Sequence, residues 1–316
     1  MKPKPKIITV TLNPCMDKTV EVADFALGKT NRVLQSRTDI GGKGVNVSRV
    51  LAGCGVDFVA TGLVAGQNGR KLVDCLEGMD ILTAFCEADG ETRVNLKIVD
   101  VHTGAMTEIN EKGFPAGKAF AEFCEALMLF LPEADVLVLS GSVPPDLGDN
   151  VYQELTALGN SLGVKVLLDA DGALLQKGIA SKPYAVKPNK AELETLVGRT
   201  LFTTEDILFE AKKLNEQGID LVVVSLGAEG ALFVRDSLAV RTEPLPIEVG
   251  SPTGAGDSMV AMLAYATVKN LTLVETAKLM TAAGSLTASL PGTQVCTFAE
   301  ASEEAKNVRT EILDVE

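Results

Sequence analysis

The sequence predicts an α/β fold: a mostly parallel sheet covered by helices on both faces. Three observations carry that prediction. Short β-branched runs alternate with helix-length segments through most of the chain. The runs are apolar almost without interruption, as strands buried on both faces must be. Finally, no linker or shift of composition divides the 316 residues into two cores. A single large α/β domain over 1–316, carrying an insertion, accounts for that length.

The elements follow in order. The run Ile-Ile-Thr-Val-Thr-Leu at 7–12 reads as a strand, ended by Asn13-Pro14. A helix is expected over about 45–52, a strand over 58–64 and a helix near 70–76. The rhythm resumes with a helix at 120–131 and strands at 136–139, 164–168, 184–187 and 221–225, each separated by enough chain for a helix. The C-terminal third turns helical, over about 257–268 and 273–290. Two segments break the rhythm. Residues 17–38 lack a convincing helix, and 91–110 read as two polar-alternating strands around a turn at His102-Thr103-Gly104. Alternation implies one wet face, so these segments are expected to build a small sheet outside the main one. Such a sheet serves as a lid or a dimer surface, or is a solvated edge hairpin without function.

Composition narrows the chemistry. Forty-two acidic against 29 basic residues, a formal net charge of −13, argue against nucleic acid, which is bound by neutralising phosphates. An anionic ligand must therefore find a locally basic pocket. A lone histidine, His102, excludes multi-histidine metal sites and reads as a loop residue. The six cysteines are scattered with no CxxC pair, as expected of reduced thiols in the cytoplasm, so neither disulfide nor zinc is implied. The N-terminus has basic residues but no apolar core of a signal peptide, and no run approaches 18 uninterrupted apolar residues, so no membrane partner is expected.

Four glycine- or proline-marked clusters could carry chemistry. The strongest is Gly-Ser-Pro-Thr-Gly-Ala-Gly-Asp-Ser at 250–258, a turn opening into a helix. Backbone N–H groups of Gly254, Ala255 and Gly256 can face a phosphoryl group, with the helix dipole adding positive charge there. Asp257 in that first turn would compete with an anion if binding were the goal, yet it is placed to take a proton from an attacking hydroxyl. Alternatively it complements the helix dipole. Gly41-Gly42-Lys43-Gly44-Val45-Asn46 also precedes a helix but lacks P-loop spacing; Lys43 suits a phosphate contact, or is a surface lysine on a tight turn. Ser140-Gly141-Ser142-Val143-Pro144 follows a strand, at the end where open α/β sheets bind ligands. In Lys187-Pro188-Asn189-Lys190-Ala191-Glu192, Asn189 and Glu192 offer oxygens for water around Mg²⁺, or form a helix capping box.

Together these motifs resemble the ribokinase-like sugar kinases of the PfkB type, specifically the branch acting on phosphosugars. Thr11 to Asp17 resembles its TxNPxxD, Gly41 to Asn46 its GGKGxN, Thr92-Arg93 its TR, and Ser140 to Pro144 its SGSxP. Asn189 to Glu192 is similar to NxxE, Ser225-Leu226-Gly227 to SLG, and Gly254 to Asp257 to GAGD. The seven matches occur in order across nearly the whole chain. Two departures stand out: Cys15 where a small residue is usual, and Pro252 where many members have Ser or Thr.

The resemblance implies a ribokinase-like three-layer α/β/α sandwich with a small β-sheet lid, and a lid-mediated homodimer. It implies ATP-dependent phosphorylation of a ketohexose phosphate, with fructose 1-phosphate ahead of tagatose 6-phosphate. Asp257 would be the base and the Gly254, Ala255 and Gly256 backbone the anion hole. Asn189 and Glu192 would hold Mg²⁺ through water, while Lys187, Ser225 and Gly227 would line the ATP side. Asp17, Gly42, Asn46 and Ser140 would meet the sugar, and Lys43, Arg93 and Arg32 its phosphate, since a dianion needs fixed cations. Cys15 would put a thiol reactive toward bulky reagents near the sugar. A catalytically silent sensor would be expected to lack the Asp or the glycines, and both are present. A Rossmann dehydrogenase is excluded because no GxGxxG follows the first strand.

Overall fold

The computed structural model describes residues 5–314. Strand β1 (Ile7–Thr11) is buried along its whole length and stops at Asn13-Pro14, where the chain leaves the main sheet. It continues into β2 (Cys15–Val22) and β3 (Val33–Gly41), then returns through α1 (Lys43–Leu51), β4 (Phe58–Ala65), α2 (Gly66–Glu77) and β5 (Leu82–Ala88). A second excursion, β6 (Arg93–Asp100) and β7 (Met106–Asn110), precedes α3 (Ala119–Phe130) and β8 (Val136–Ser140). Next come α4 (Val151–Ser161), β9 (Lys165–Asp169), α5 (Gly172–Ile179), β10 (Ala185–Val186), α6 (Lys190–Val197) and α7 (Thr204–Glu216). The chain finishes with β11 (Leu221–Ser225), β12 (Ala231–Arg235), β13 (Leu238–Thr242), α8 (Ala255–Lys269), α9 (Leu273–Ser289), α10 (Phe298–Glu304) and β14 (Thr310–Asp314).

The large sheet has ten strands in the order β14-β13-β12-β11-β10-β9-β8-β1-β4-β5. It is parallel from β5 to β11 and antiparallel through β12, β13 and β14. Alternating residues serve opposite faces, as a period of two requires. In β8, Leu137 and Leu139 pack with Phe123, Tyr152 and Leu155, whereas Val136 and Val138 pack with Val47, Met262 and Met280. The result is the three-layer α/β/α arrangement expected from the sequence.

The four-stranded sheet, ordered β3-β2-β6-β7, is built from the two segments that broke the rhythm. Cys15 pairs with Arg93 and Asp17 with Asn95 in its parallel β2·β6 ladder, which brings two distant motifs together. Val20, Val22 and Ile98 form its own small apolar cluster.

Three features differ from the reading of the sequence. The strand expected at 184–187 is only Ala185–Val186, because Pro183 and Pro188 flank it and neither can donate to a ladder. The antiparallel strands β12 and β13 come from polar-ended hairpin sequence that a search for βαβ units passes over. The helix expected from residue 45 begins at Lys43, on Gly42 at φ 114°, a conformation that favours glycine. Among the described residues no helix is long and apolar enough to cross a membrane.

Candidate active site

Strands β8 to β11 are parallel, so their carboxyl ends emerge on one rim of the sheet. There a cleft of about 1380 Å³ is lined by Lys43, Asp169, Lys187, Asn189, Glu192, Ser225, Gly227, Ala255, Gly256 and Asp257. Asp257 lies in the first turn of α8, which starts after Gly254 at φ 84°. Its carboxyl group is buried at 7% exposure, and Oδ2 accepts a hydrogen bond from Asn46 Nδ2 at 2.7 Å. Burial, followed by the charge of Asp169, pushes its pKa up to about 6, against the pull of Asn46, Lys43 and Lys187. At neutral pH the group is therefore mostly an ionised base that still holds a proton well, the balance a general base needs.

Asp169, at the end of β9, was not singled out in the sequence, yet it organises the charges. It is 2% exposed, and both Lys43 Nζ and Lys187 Nζ stand 3.4 Å from Oδ1. Burial disfavours its charge, but Lys187 and Lys43 outweigh that and hold the carboxyl below the usual range. Its Oδ2 is buried with no hydrogen-bond partner. Burial likewise works against the charge of Lys43, but Asp169 and then Asp257 more than offset it, so the ammonium stays protonated far into the alkaline range. The signal that could have found Asp169 was its place at a strand's carboxyl end, the usual ligand-binding rim.

The anion cradle is smaller than expected. The Ala255 N–H turns to the Pro252 carbonyl at 3.3 Å, and the helix ladder begins with Ser258 N–H to Gly254 O at 2.9 Å. Among the described residues, the N–H groups of Gly254 and Gly256 have no acceptor. Asn189 and Glu192 form a reciprocal capping box at the start of α6: each backbone N–H donates to the other's side chain at 2.8 Å. Those bonds use one oxygen of each and leave the second Glu192 oxygen without a hydrogen bond among the described residues. An isolated bridge between Asn189 and Ser225 brings that turn beside the end of β11.

A second cluster sits where the small sheet meets β1. Asp17 accepts from Asn95 Nδ2 at 3.2 Å and lies 3.7 Å from Lys97 Nζ. Arg93 donates to the Asn13 carbonyl, to Asn95, to the Glu111 carbonyl and to Ser142 Oγ, at 3.1 to 3.4 Å. None of those acceptors is a carboxylate, so its charge stays uncompensated by any ion pair among the described residues. Asn13, Asn95 and Ser142 were not singled out as site residues, and only their three-dimensional meeting reveals them.

Several expectations need correction. Ser140 is fully buried beneath Tyr152, whose hydroxyl donates to its carbonyl at 3.0 Å; Ser142 takes its place beside Arg93. Asn46 Nδ2 donates to Asp257 and its Oδ1 accepts from Arg49, which places it at the foot of Asp257 with one amide N–H unassigned. Arg32 is exposed just before Val33, which pairs with Val22 at the outer end of the small sheet. That end lies about 25 Å along the strands from Cys15, so Arg32 does not join the site within one chain. The Cys15 thiol is 2% exposed; burial first, then Asp17, push its pKa far up, which removes the thiolate that reacts with bulky reagents. His102 binds Asp24 at 2.9 Å on the same outer end, consistent with a loop role.

Comparisons with known proteins agree with this geometry. The family model for pfkB family carbohydrate kinases matches residues 10–300. A 1-phosphofructokinase from Rhodobacter capsulatus is 40% identical over 279 residues, covering 88% of each chain. A tagatose-6-phosphate kinase from Staphylococcus epidermidis is 36% identical over 289 residues, covering 89% of this chain and 92% of that one. The crystal structure of phosphofructokinase-2 from Escherichia coli in complex with substrates and products superimposes with a TM-score of 0.90 at 29% identity, over 96% of this chain and 99% of that one. A buried carboxyl at a helix start, a lysine-bound aspartate and a match over most of the chain lead to one conclusion: this chain belongs to the pfkB family of carbohydrate kinases, phosphotransferases that act on an alcohol group.

Proposed function

We propose that this protein transfers the terminal phosphoryl group of ATP to the free hydroxymethyl of a ketohexose monophosphate, with fructose 1-phosphate as the preferred acceptor. The observation that carries the reading is Asp257, a buried carboxylate with a raised pKa, hydrogen-bonded by Asn46 at the start of α8. Asp257 takes the hydroxyl proton as the oxygen attacks. The free N–H groups of Gly254 and Gly256 and the ammonium of Lys187 face the charge that develops on the transferring group. Mg²⁺ fits the residues present, since Asp169 has an orphaned buried oxygen and Glu192 a second free one. These two, with Asn189, would hold the ion through water, where it neutralises phosphate charge.

The sugar side rests on Arg93, whose charge has no carboxylate partner, together with Lys43 and the hydroxyl-binding groups of Asp17, Gly42 and Asn95. The order of substrates is supported by the Arg93 to Lys97 and Ser225 to Leu232 segments and by the higher identity to the Rhodobacter 1-phosphofructokinase. Release of ADP should give the highest kcat/KM with fructose 1-phosphate when compared with tagatose 6-phosphate and fructose 6-phosphate. Arg93→Met should raise KM for the phosphosugar about 10- to 100-fold while that for ATP stays nearly constant, as expected for a lost charge-assisted contact. Preference for tagatose 6-phosphate would overturn the substrate order, and equal effects on both KM values would overturn the role of Arg93.

We read the small sheet as a lid over that site and as a dimer surface. Leu34 and Ile109, on its two outer strands, are 62% and 55% exposed, and a twofold partner would remove such side chains from water. Light scattering at micromolar protein should give twice the chain mass, and a monomer would refute the dimer. The six free cysteines suit a reducing, cytoplasmic setting.

A further inference from the structure

We infer that Arg49 is a positioning residue for phosphoryl transfer: it fixes the amide of Asn46 in the orientation that presents a donor to Asp257, and ties that amide to the foot of the small sheet. The inference rests on the reading of Asp257 as the base. Asn46 and Arg49 lie three residues apart on α1 and so share a face. Arg49 Nη1 donates to Asn46 Oδ1 at 3.2 Å and to the Thr293 carbonyl at 3.1 Å. Asn46 Nδ2 in turn donates to Asp257 Oδ2 at 2.7 Å. On the other side, Thr293 Oγ1 donates to Asp39 Oδ2 at 3.0 Å, and Asp39 lies two residues before Gly41 at the foot of β3.

The chemistry of the groups gives this chain its direction. A guanidinium has donors only, so it can receive only the oxygen end of an amide, and the nitrogen end must then face Asp257. Without Arg49 the Asn46 amide is free to turn and present its oxygen to the carboxylate, which repels it. The charged groups bearing on Asp257 are Asp169, Lys43, Lys187 and, through space, Arg49 itself, so the Asn46 amide is the neutral donor in the set. Among the described residues no carboxylate comes within ion-pair distance of Arg49; Asp39, and more weakly Asp17 and Asp257, act on its charge from further away.

The test follows the Asp257 carboxyl carbon by ¹³C NMR through a pH titration in substrate-free protein, and measures kcat against pH, for wild type, Arg49→Met and Arg49→Lys. In Arg49→Met the carboxyl should titrate at higher pH than in wild type. Its kcat near neutrality should fall at least about tenfold, with the deficit shrinking as pH rises and KM for ATP within threefold. Arg49→Lys, which keeps a charged donor, should recover much of both effects and carries the test if the Met variant does not fold. A folded Arg49→Met protein whose carboxyl titrates as in wild type overturns the inference. Wild type that phosphorylates none of the three sugars, with a carboxyl that still responds to Arg49, overturns the catalytic reading and leaves the hold on Asp257 standing.

Discussion

Replacing Asp257 by Asn is expected to lower kcat by about 10²- to 10⁴-fold, with KM for either substrate changed only a few-fold, because the base acts only as the hydroxyl attacks. In wild type the rate should fall as pH drops through about 6, where Asp257 takes up its proton. The same substitution should stabilise the fold. The carboxyl has a pKa of about 6 in the native protein against an ordinary 3.8, so the native state holds the proton more tightly than the unfolded chain. Stability is therefore lost as pH rises from about 4 to about 6, on the order of 3 kcal/mol in total. Asp257→Asn escapes that loss while its amide oxygen still accepts from Asn46. It should melt higher than wild type at pH 7, and the difference should vanish below pH 4. An inactive variant with unchanged melting at both pH values would mean that the carboxyl is not strained by burial.

Replacing Asp169 by Ala should have the opposite effect on the fold. It strips the counter-charge from Lys187, which is 6% exposed, and from Lys43, and breaking a buried pair from one side costs about 3–5 kcal/mol. Thermal unfolding should drop by roughly 10 °C. Asp169→Asn keeps the shape and removes the charge that raises the Asp257 pKa, so the acid limb of kcat should move to lower pH. Arg49→Met moves it the other way. The two variants thus move the same limb in opposite directions, Asp169→Asn by removing a negative charge and Arg49→Met by removing the anchor of the Asn46 amide together with a positive charge that acts on Asp257. Unchanged stability in Asp169→Ala would show that the lysines find other partners.

Much of the fold was legible because buried parallel strands are nearly pure in composition. Strand β11 falls at the residues its apolar run indicates, and the small sheet is made of the two segments that alternate. The antiparallel end was not legible, since a short hairpin such as β12 and β13 carries no helix to mark it. Of the site residues, those in glycine-marked turns could be found, because a turn before a helix has a local signature. Asp169 carries only its place at the carboxyl end of a strand, and Arg49 carries none. Each matters through partners more than 100 residues away, Lys43 for the first and Thr293 for the second. Ser140 was misplaced for a related reason: β8 ends at Ser140 inside the core, and the chain then turns at Gly141, φ 91°, which carries Ser142 toward Arg93.

The place of β1 in the large sheet has a kinetic consequence. This strand lies between β4 and β8, and its register joins Ile7 to Phe58 on one side and to Val136 on the other. During synthesis it leaves the ribosome early, yet its second edge has no partner until most of α3 and β8 have followed. For that interval an apolar strand built for complete burial offers an open hydrogen-bonding edge to any other nascent chain. Folding of this kinase is thereby paced by its slowest long-range pairing, and its yield should depend on how well that one strand is shielded while it waits.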